Sequence, residues 1–443
     1  MNYIKSMLAA FCRIVLVGIF WVIVRALYHV EFSGLEYARG KHPTFFAMAH
    51  KRDLDPLVEV PPILACRGWR ALLGDVHFAL RSDAFSRDFL GRIIRHPRWL
   101  ARCLRPLSLR AILSQWGLHP LENIHNRPAE VWIGNWLEIA GDERADEVLT
   151  LSFLQHVALM SGEDIQLLKS RPLSHLLSWR YQEILQTWYS ADIFVRSARQ
   201  RIKQVVLRKL KQELADLTAW LLRGGSLWGS PEGRLSPDGK VSMFTPVLDR
   251  LLNGSPVDTC VIPISISYDF MTTGRLRIFV NLALPIEQAP SLHARELELQ
   301  LRHGWLQSTY FTCTQLASGF LVKRGCTASA PFTLDDLALD VHQQAVMLAM
   351  GGRYVDKDLL SLRSAQKLAR RFLDYALRHK LVRSRDHSSW EPTVGNLVMQ
   401  VHAGDTGYLQ APLAYAWNEL REMLSVGPLP GVNTSSIQIM EVS

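Results

Sequence analysis

A long hydrophobic stretch runs from Met7 to Val30 and reads MLAAFCRIVLVGIFWVIVRALYHV. A helix of this length can span a bilayer, because a helix rises about 1.5 Å per residue. Arg13 and Arg25 interrupt the stretch and leave Ile14–Val24 as its uninterrupted apolar core. Three residues that favour a membrane interface accompany it: Lys5, Trp21 and Tyr28. Three interpretations stay open: a tilted spanning helix, a helix in one leaflet with snorkelling arginines, and a buried core helix.

Two short strands and a helix are predicted next. Residues 29–36, HVEFSGLE, alternate between polar and apolar positions and then turn at Gly34, and Thr44–Ala49 form a short apolar run; both patterns are typical of strands. Asp55 stands before Pro56, which is a good helix N-cap followed by a good first helical residue. The chain is therefore predicted to turn from a strand that ends at His50 into a helix that begins near Asp55.

Residues 76–188 are rich in Arg, Trp, Leu and His, with an apolar spacing that favours helices. Helices are predicted near 84–105, 107–116, 144–160 and 172–188. The basic run at 91–111, GRIIRHPRWLARCLRPLSLRA, fits a membrane surface, the lining of an acyl-binding groove or a solvated basic face. The residues alone leave these three alternatives open.

Strand and helix patterns alternate from residue 189 onward. Strands are predicted at 191–196, 226–230, 258–270 and 275–284, and helices at 201–222 and near 243–252. This alternation is typical of an α/β fold with a largely parallel central sheet flanked by helices. Two amphipathic stretches after residue 331 predict a helical carboxyl-terminal extension.

The patterns together predict three regions. They are a membrane-associated helix at 1–32, an α/β domain at 33–330 with a helical insertion at about 76–188, and a helical region at 331–443. A chain of 443 residues with 48% hydrophobic and 21% charged residues can bury a core of this size.

Charge and cysteine content narrow the partners and the compartment. The formal charge of +9 suits phosphate-bearing substrates, acidic lipid surfaces or nucleic acid, and does not choose among them. The six cysteines form no C-x-x-C pair, so a zinc site is not expected, and their scatter fits a reducing compartment.

Four segments carry the candidate chemistry, in chain order: HKRDLD (50–55), DIFVR (192–196), SPEGRLSPDG (230–239) and CVIPISISYDF (260–270). A single His-x4-Asp pair is weak evidence, because about one is expected by chance in such a chain. The ordered set resembles the glycerolipid acyltransferase superfamily, which includes glycerol-3-phosphate and 1-acylglycerol-3-phosphate acyltransferases. The resemblance covers residues 1–75 and 189–285.

The match to the family motifs is uneven. His50 and Asp55 match the His-x4-Asp motif in full, and the segment 231–233 matches the Pro-Glu-Gly core of the third motif. The fourth motif, an apolar strand around a Val/Ile-Pro-Val/Ile triplet, is matched at 262–264. The departures are Ser230 for Phe, Arg234 one position before the usual Arg, Leu235 in that later place, Ala191 for Gly and Ser197 for the final Arg of the second motif.

Acyl transfer from a thioester to a hydroxyl needs a base and a group that orients the base. His50 is predicted to deprotonate the acceptor hydroxyl, and Asp55 to hold the imidazole tautomer and stabilise the imidazolium. Arg196 and Arg234 are the candidates for binding a phosphate, since guanidinium groups bind it bidentately. Glu232 is predicted to hold a glycerol hydroxyl or to fix the arginines, and Gly233 to allow close backbone approach.

The predicted function is therefore O-acyl transfer to glycerol 3-phosphate or its 1-acyl derivative, at a membrane and with the site facing the cytoplasm. Acyl-CoA or acyl carrier protein is the expected co-substrate, with no metal, prosthetic group or nucleic-acid partner. The alternatives are acyl transfer or transacylation to another lipid acceptor, and a non-catalytic lipid-binding protein of the same fold. A serine hydrolase is disfavoured. In GGSLWG at 224–229, Trp228 stands at the position of the final glycine of Gly-x-Ser-x-Gly.

Overall fold

The computed structural model describes residues 2–40, 43–52, 55–68, 75–81, 117–121, 126–233, 236, 238–326, 331–386, 388–393 and 411–426. Three predicted features lie outside these residues: the helices near 84–105 and 107–116, and the basic run at 91–111. The chain forms two compact units, one built from residues 1–76 and 221–443 and the other from residues 77–220. Each unit is described by itself.

The strands are β1 His29–Ser33, β2 Thr44–Met48, β3 Val76–Arg81, β4 Leu118–Leu121, β5 Asn126–Pro128, β6 Trp188–Ser190, β7 Ser226–Gly229, β8 Cys260–Tyr268, β9 Arg277–Leu282, β10 Phe332–Thr333, β11 Val382–Ser384 and β12 Ser389–Pro392.

The helices are α1 Asn2–Leu27, α2 Asp55–Arg67, α3 Ala129–Ala140, α4 Ala145–Val148, α5 Leu151–Ser161, α6 Ile165–Ser170, α7 Gln182–Leu185, α8 Arg196–Leu222, α9 Val247–Leu252, α10 Ala294–Ser308, α11 Cys313–Cys326, α12 Leu334–Met350, α13 Leu362–Arg378 and α14 Pro412–Leu424.

The fold is α/β, with a mostly parallel sheet flanked by helices, as the sequence predicts. In the first unit the strand order is β1-β9-β8-β2-β7, and the β8–β9 pair alone among these neighbours is antiparallel. Every residue of β2 and β8 is buried. Strands that are covered on both faces read as continuous apolar runs, which explains why both were predicted closely from the sequence.

The connection from β1 to β2 turns at Gly34. Its φ is +69°, and a Cβ built there would lie 2.0 Å from the carbonyl oxygen of Leu282. The strand ends at Ser33, directly before the turn predicted at Gly34, and a 3-10 helix, Leu35–Arg39, follows. Only a residue without a Cβ fits this close approach and this left-handed conformation.

The described residues in the carboxyl-terminal part of the first unit are mostly helical, as predicted. Helices α11 to α14 share one apolar core. A small antiparallel sheet with the order β10-β12-β11 also lies in this part of the chain. The sequence did not predict it, because its strands are two to four residues long and offer little periodicity.

In the second unit, two predictions are wrong for one reason. The helix predicted at 144–160 divides into α4 and α5, and the strand predicted at 191–196 is a 3-10 helix, Ala191–Ile193, followed by the start of α8. Two short segments pair with each other, as Val195 N donates to Val148 O at 2.9 Å and Thr150 N to Ile193 O at 2.8 Å. This non-local pairing overrides the local helix and strand preferences.

The helix predicted at 172–188 is also divided. The chain there forms two 3-10 helices, Leu173–Leu177 and Trp179–Tyr181, and then α7 and β6. Among the residues described, no helix combines the length and the hydropathy that crossing a bilayer requires.

Candidate active site

The candidate site lies where β2 ends. His50 follows the strand by two residues, and Asp55 is the first residue of α2. His50 Nδ1 and Asp55 Oδ2 are 3.1 Å apart. The Asp55 side chain is fully buried, whereas 17% of the His50 side chain is exposed. The loop therefore brings a solvent-accessible imidazole against a buried carboxylate.

The main chain fixes the carboxylate of Asp55. Its Oδ2 also accepts the backbone N–H of Lys51 at 2.7 Å and of Arg52 at 2.9 Å. The Tyr268 hydroxyl donates to Oδ1. With four donors around it, the carboxylate has little freedom to rotate, and its negative charge lies at the favourable amino-terminal end of α2.

This arrangement selects one tautomer of His50. An ionised carboxylate is an acceptor, so Nδ1 carries the hydrogen, and Nε2 keeps the lone pair that can accept a proton. Base and orienting acid thus have the geometry that the sequence predicts for them. Their catalytic role stays a prediction.

Tyr268 and Glu59 are two buried neighbours of Asp55 that the sequence did not single out. Burial raises the pKa of Tyr268 well above its ordinary value, and the charge of Asp55 raises it further, so Tyr268 stays a hydroxyl donor. Burial, followed by the charge of Asp55, likewise raises the pKa of Glu59, one helical turn further along α2. The one sequence signal was the position of Tyr268 near the end of the fourth motif, in SISYD at 265–269.

Glu232 holds the backbone of His50. Its Oε2 accepts the His50 N–H at 3.0 Å, and its Oε1 accepts the Ser242 N–H at 2.6 Å. Burial raises the pKa of Glu232 to about 7, and these two backbone hydrogen bonds oppose the shift. Both carboxylate oxygens are thus used within the protein, which makes Glu232 a positioning residue. A contact with a substrate hydroxyl, as predicted from the sequence, stays a prediction.

Gly233 closes the turn that presents Glu232. Its φ is +66°, and a Cβ built there would lie 3.1 Å from Thr245 Cγ2. Gly233 N donates to Ser230 O at 3.3 Å. The glycine is therefore required by the turn itself, and close approach of a substrate to its backbone stays a prediction.

The sequence predicts two phosphate-binding arginines, Arg196 and Arg234. Arg196 is the first residue of α8, is exposed, and lies in the second unit. Arg234 lies outside the described residues. A third arginine, Arg52, lies within the His50–Asp55 loop. Its guanidinium is 4.3 Å from the ring centroid of Tyr268 and 4.9 Å from that of Phe270. Stacking on two rings orients this cation beside the pair.

No cluster of three or more His, Cys, Asp or Glu side chains suited to a metal ion occurs among the described residues.

The raised pKa of Glu232 predicts a pH dependence of stability. The folded protein holds this proton up to about pH 7, whereas an unfolded chain releases it near 4.5. Its contribution to folding is therefore complete below pH 4.5 and is lost as the pH rises through 7, at up to about 1.4 kcal/mol per pH unit. Denaturation of Glu232→Gln from pH 5 to 8 should show a flatter profile than the wild type.

The exposed Glu36 provides the matched control. Glu36→Gln should reproduce the pH profile of the wild type, because this side chain is exposed rather than buried. A Glu232→Gln profile as steep as that of the wild type contradicts the assignment of the titrating group to Glu232.

The comparisons with known proteins give distant likeness only. No family model and no curated protein matches the chain. A solved structure similar to it is the 1-acyl-sn-glycerophosphate (LPA) acyltransferase from Thermotoga maritima, at 12% sequence identity. The match covers 68% of this chain and 93% of that chain, with a TM-score of 0.29. A likeness this distant supports no assignment of activity or residue role.

Proposed function

We propose that this protein transfers a fatty acyl group from acyl-CoA or acyl carrier protein to a hydroxyl of glycerol 3-phosphate or 1-acylglycerol 3-phosphate. The observation that carries the proposal is the contact between the accessible His50 imidazole and the buried Asp55 carboxylate, 3.1 Å apart. The order of the four sequence motifs supports a phosphate-bearing glycerol acceptor.

The proposed reaction needs one base. His50 Nε2 takes the proton of the acceptor hydroxyl while the hydroxyl oxygen attacks the thioester carbonyl carbon. The carbon–sulfur bond then breaks, the ester forms, and the departing thiolate recovers the proton from the imidazolium. Asp55 stabilises the imidazolium in between. Because the acceptor itself is the nucleophile, no acyl-enzyme forms.

Recognition of the acceptor phosphate is assigned to arginine side chains. Arg196 and Arg234 stay predictions for this role, because Arg196 lies in the second unit and Arg234 lies outside the described residues. Arg52 is a further candidate, because its guanidinium lies over Tyr268 next to the pair. An acceptor without a phosphate is therefore the alternative that the test has to separate.

The test is acyl transfer by the full chain, with each donor combined with each acceptor, and with His50→Ala as the control. Labelled product that depends on both substrates and disappears in His50→Ala supports the proposal and selects the acceptor. Transfer to a phosphate-free lipid only overturns the acceptor class. Lipid binding without transfer to any acceptor favours the non-catalytic alternative.

We also propose that the protein works at a lipid surface, with its site on the cytoplasmic side where acyl thioesters occur. Helix α1 exposes large apolar side chains at helical spacing along one face: Phe11 62%, Val15 40%, Ile19 49%, Val22 67%, Ile23 45% and Leu27 58%. The opposite face packs on the first unit, where Val24 is buried and the Trp21 ring lies 5.5 Å from Phe32. A helix anchored on one face and apolar on the other suits an interfacial position.

Val22→Asp is expected to reduce binding to vesicles at least about tenfold, since transfer of the valine side chain into lipid, worth roughly 1.5 kcal/mol or more, is lost and a charge is introduced. Flotation with phosphatidylglycerol-containing vesicles measures the loss. Val257→Asp is the matched control, because Val257 is 65% exposed and Val22 is 67% exposed. Equal flotation of the two variants contradicts the assignment of the α1 face to lipid.

A further inference from the structure

The last described helix, α14, is tightly packed into the first unit. Its apolar face joins the core that α11 to α13 also share. At the crossing with α11, a Cβ built on Gly319 would lie 2.6 Å from Leu420 Cδ2. The glycine lets the two helices approach closely, which fixes the position of α14 along α11.

A buried acid on α14 reaches the candidate site through Lys51. Glu419 accepts a hydrogen bond from Lys51 Nζ with Oε1, and from Gln315 Nε2 with Oε2 at 2.7 Å. The Lys51 and Glu419 side chains are only 11% and 5% exposed. Gln315 is itself held, because its Oε1 accepts the Thr312 N–H at 3.0 Å. The acid is thus fixed from α11 and in turn fixes the lysine.

Lys51 joins α14 to the His50–Asp55 pair. Its side chain pairs with Glu419, while its backbone N–H donates to Asp55 Oδ2 at 2.7 Å. The same Oδ2 accepts the His50 ring hydrogen. A displacement of the Lys51 side chain is therefore expected to shift the Lys51 backbone, whose N–H is hydrogen-bonded to the Asp55 carboxylate.

The same helix also holds the loop that positions Glu232. Asn418 Nδ2 donates to Asp238 O at 3.1 Å, and Glu422 Oε2 accepts the Val241 N–H at 2.6 Å. This loop continues to Ser242, whose N–H binds Glu232.

Close packing confirms that the loop and the helix fit one another. A Cβ built on Gly239, whose φ is +87°, would lie 2.3 Å from Tyr415 O on α14. Ser236, at the start of the loop, donates its N–H to His50 O at 2.9 Å. One helix thus contacts both loops that hold His50.

We infer that α14 is a component of the candidate active site, and that Glu419 is a positioning residue that acts on His50 and Asp55 through Lys51. The catalytic consequence rests on the proposed function, whereas the structural coupling does not. Misplacing reacting groups by about 1 Å can lower a rate about 10²-fold, so a helix that sets two loops has leverage on the chemistry. A buried ion pair is suited to this, because separating its partners leaves an uncompensated buried charge, which holds the lysine in place.

The test is a double-mutant cycle with Lys51→Met, Glu419→Gln and the double variant. Glu419→Gln leaves the Lys51 ammonium without its counter-charge, and the lysine is expected to turn towards solvent. Removing both charges avoids that, since a buried pair can be replaced by neutral residues of similar volume. We expect Glu419→Gln to lower kcat about tenfold with little change in KM, and the double variant to recover most of the loss.

A second readout is independent of activity. Hydrogen exchange at residues 50–55 should be faster in Glu419→Gln than in the wild type, and should return towards the wild-type rate in the double variant. Asp356→Asn is the matched control, because Asp356 is also buried and ion-paired, with Arg277. It is expected to lower stability without changing kcat or the exchange of residues 50–55.

The outcomes separate the two ideas. Unchanged exchange at 50–55 in Glu419→Gln, or losses that merely add in the double variant, overturns the positioning role of Glu419. Absence of acyl transfer in the wild type overturns the proposed function instead, and the exchange cycle still decides whether α14 controls the site. The inference is also overturned if kcat falls in proportion to the loss of melting temperature in every variant, including Asp356→Asn.

Discussion

Replacing His50 with alanine is expected to lower kcat for acyl transfer by about 10²- to 10⁴-fold, which is the usual contribution of a positioned general base. The change removes the ring nitrogen that accepts the hydroxyl proton. The KM values should change much less, because the ring is not expected to supply substrate binding. The fold should persist, since Asp55 keeps its donors from Lys51, Arg52 and Tyr268.

Two further variants separate the base from its surroundings. His50→Asn offers an amide N–H to Asp55 but has no basic nitrogen, so it should be as inactive as His50→Ala. His303→Ala is the matched control, because His303 is exposed on α10. Transfer by His50→Ala within threefold of the wild type, at equal melting temperature, would rule out His50 as the base.

The His50–Asp55 contact could be predicted because its causes are local. An apolar run ends before His50, and Asp55-Pro56 begins a helix five residues later. If the pair had been on one helix, the two side chains would point about 140° apart. The strand–loop–helix pattern predicts a bend between His50 and Asp55, and this bend brings His50 Nδ1 to 3.1 Å from Asp55 Oδ2.

The roles of Glu232 and Glu419 could not be predicted, because their causes are not local. Glu232 binds a backbone N–H 182 residues earlier in the chain, and Glu419 binds a lysine 368 residues earlier. Main-chain N–H donors, which Glu232 binds, are present in every residue type except proline and so leave no trace in the sequence. A glutamate on an amphipathic helix also reads as a solvated charge until the packing of that helix is known.

The misread strand at 191–196 shows the same limit in secondary structure. Ile193, Phe194 and Val195 have strong strand preferences, yet Ile193 ends a 3-10 helix, and the other two residues only connect it to α8, which begins at Arg196. Their side chains enter the apolar core of the second unit. The apolar pattern there reflects burial and a short extended bridge to Leu149, and not a strand over 191–196.

Asp55→Asn is expected to lower kcat by about 10²- to 10³-fold, the size of effect seen when an electrostatic partner of a developing charge is removed. Asp55 Oδ2 accepts three donors, from His50, Lys51 and Arg52. In asparagine, an amide nitrogen at the position of Oδ2 would face three N–H groups, so the amide oxygen is expected to occupy that position instead. The amide NH2 group then points at the Tyr268 hydroxyl, which can accept as well as donate.

Asparagine should therefore keep the His50 tautomer and lose the negative charge, so the variant measures charge alone. Tyr268→Phe is the complementary change, because it removes the donor to Oδ1 and leaves the charge; we expect a loss in kcat of only about threefold. In the double variant the buried amide has no acceptor at that side, which should lower the free energy of unfolding by about 1–3 kcal/mol beyond the single variants. If Asp55→Asn turned over as fast as the wild type, His50 would not develop a charge that Asp55 stabilises, and the base assignment would need another residue.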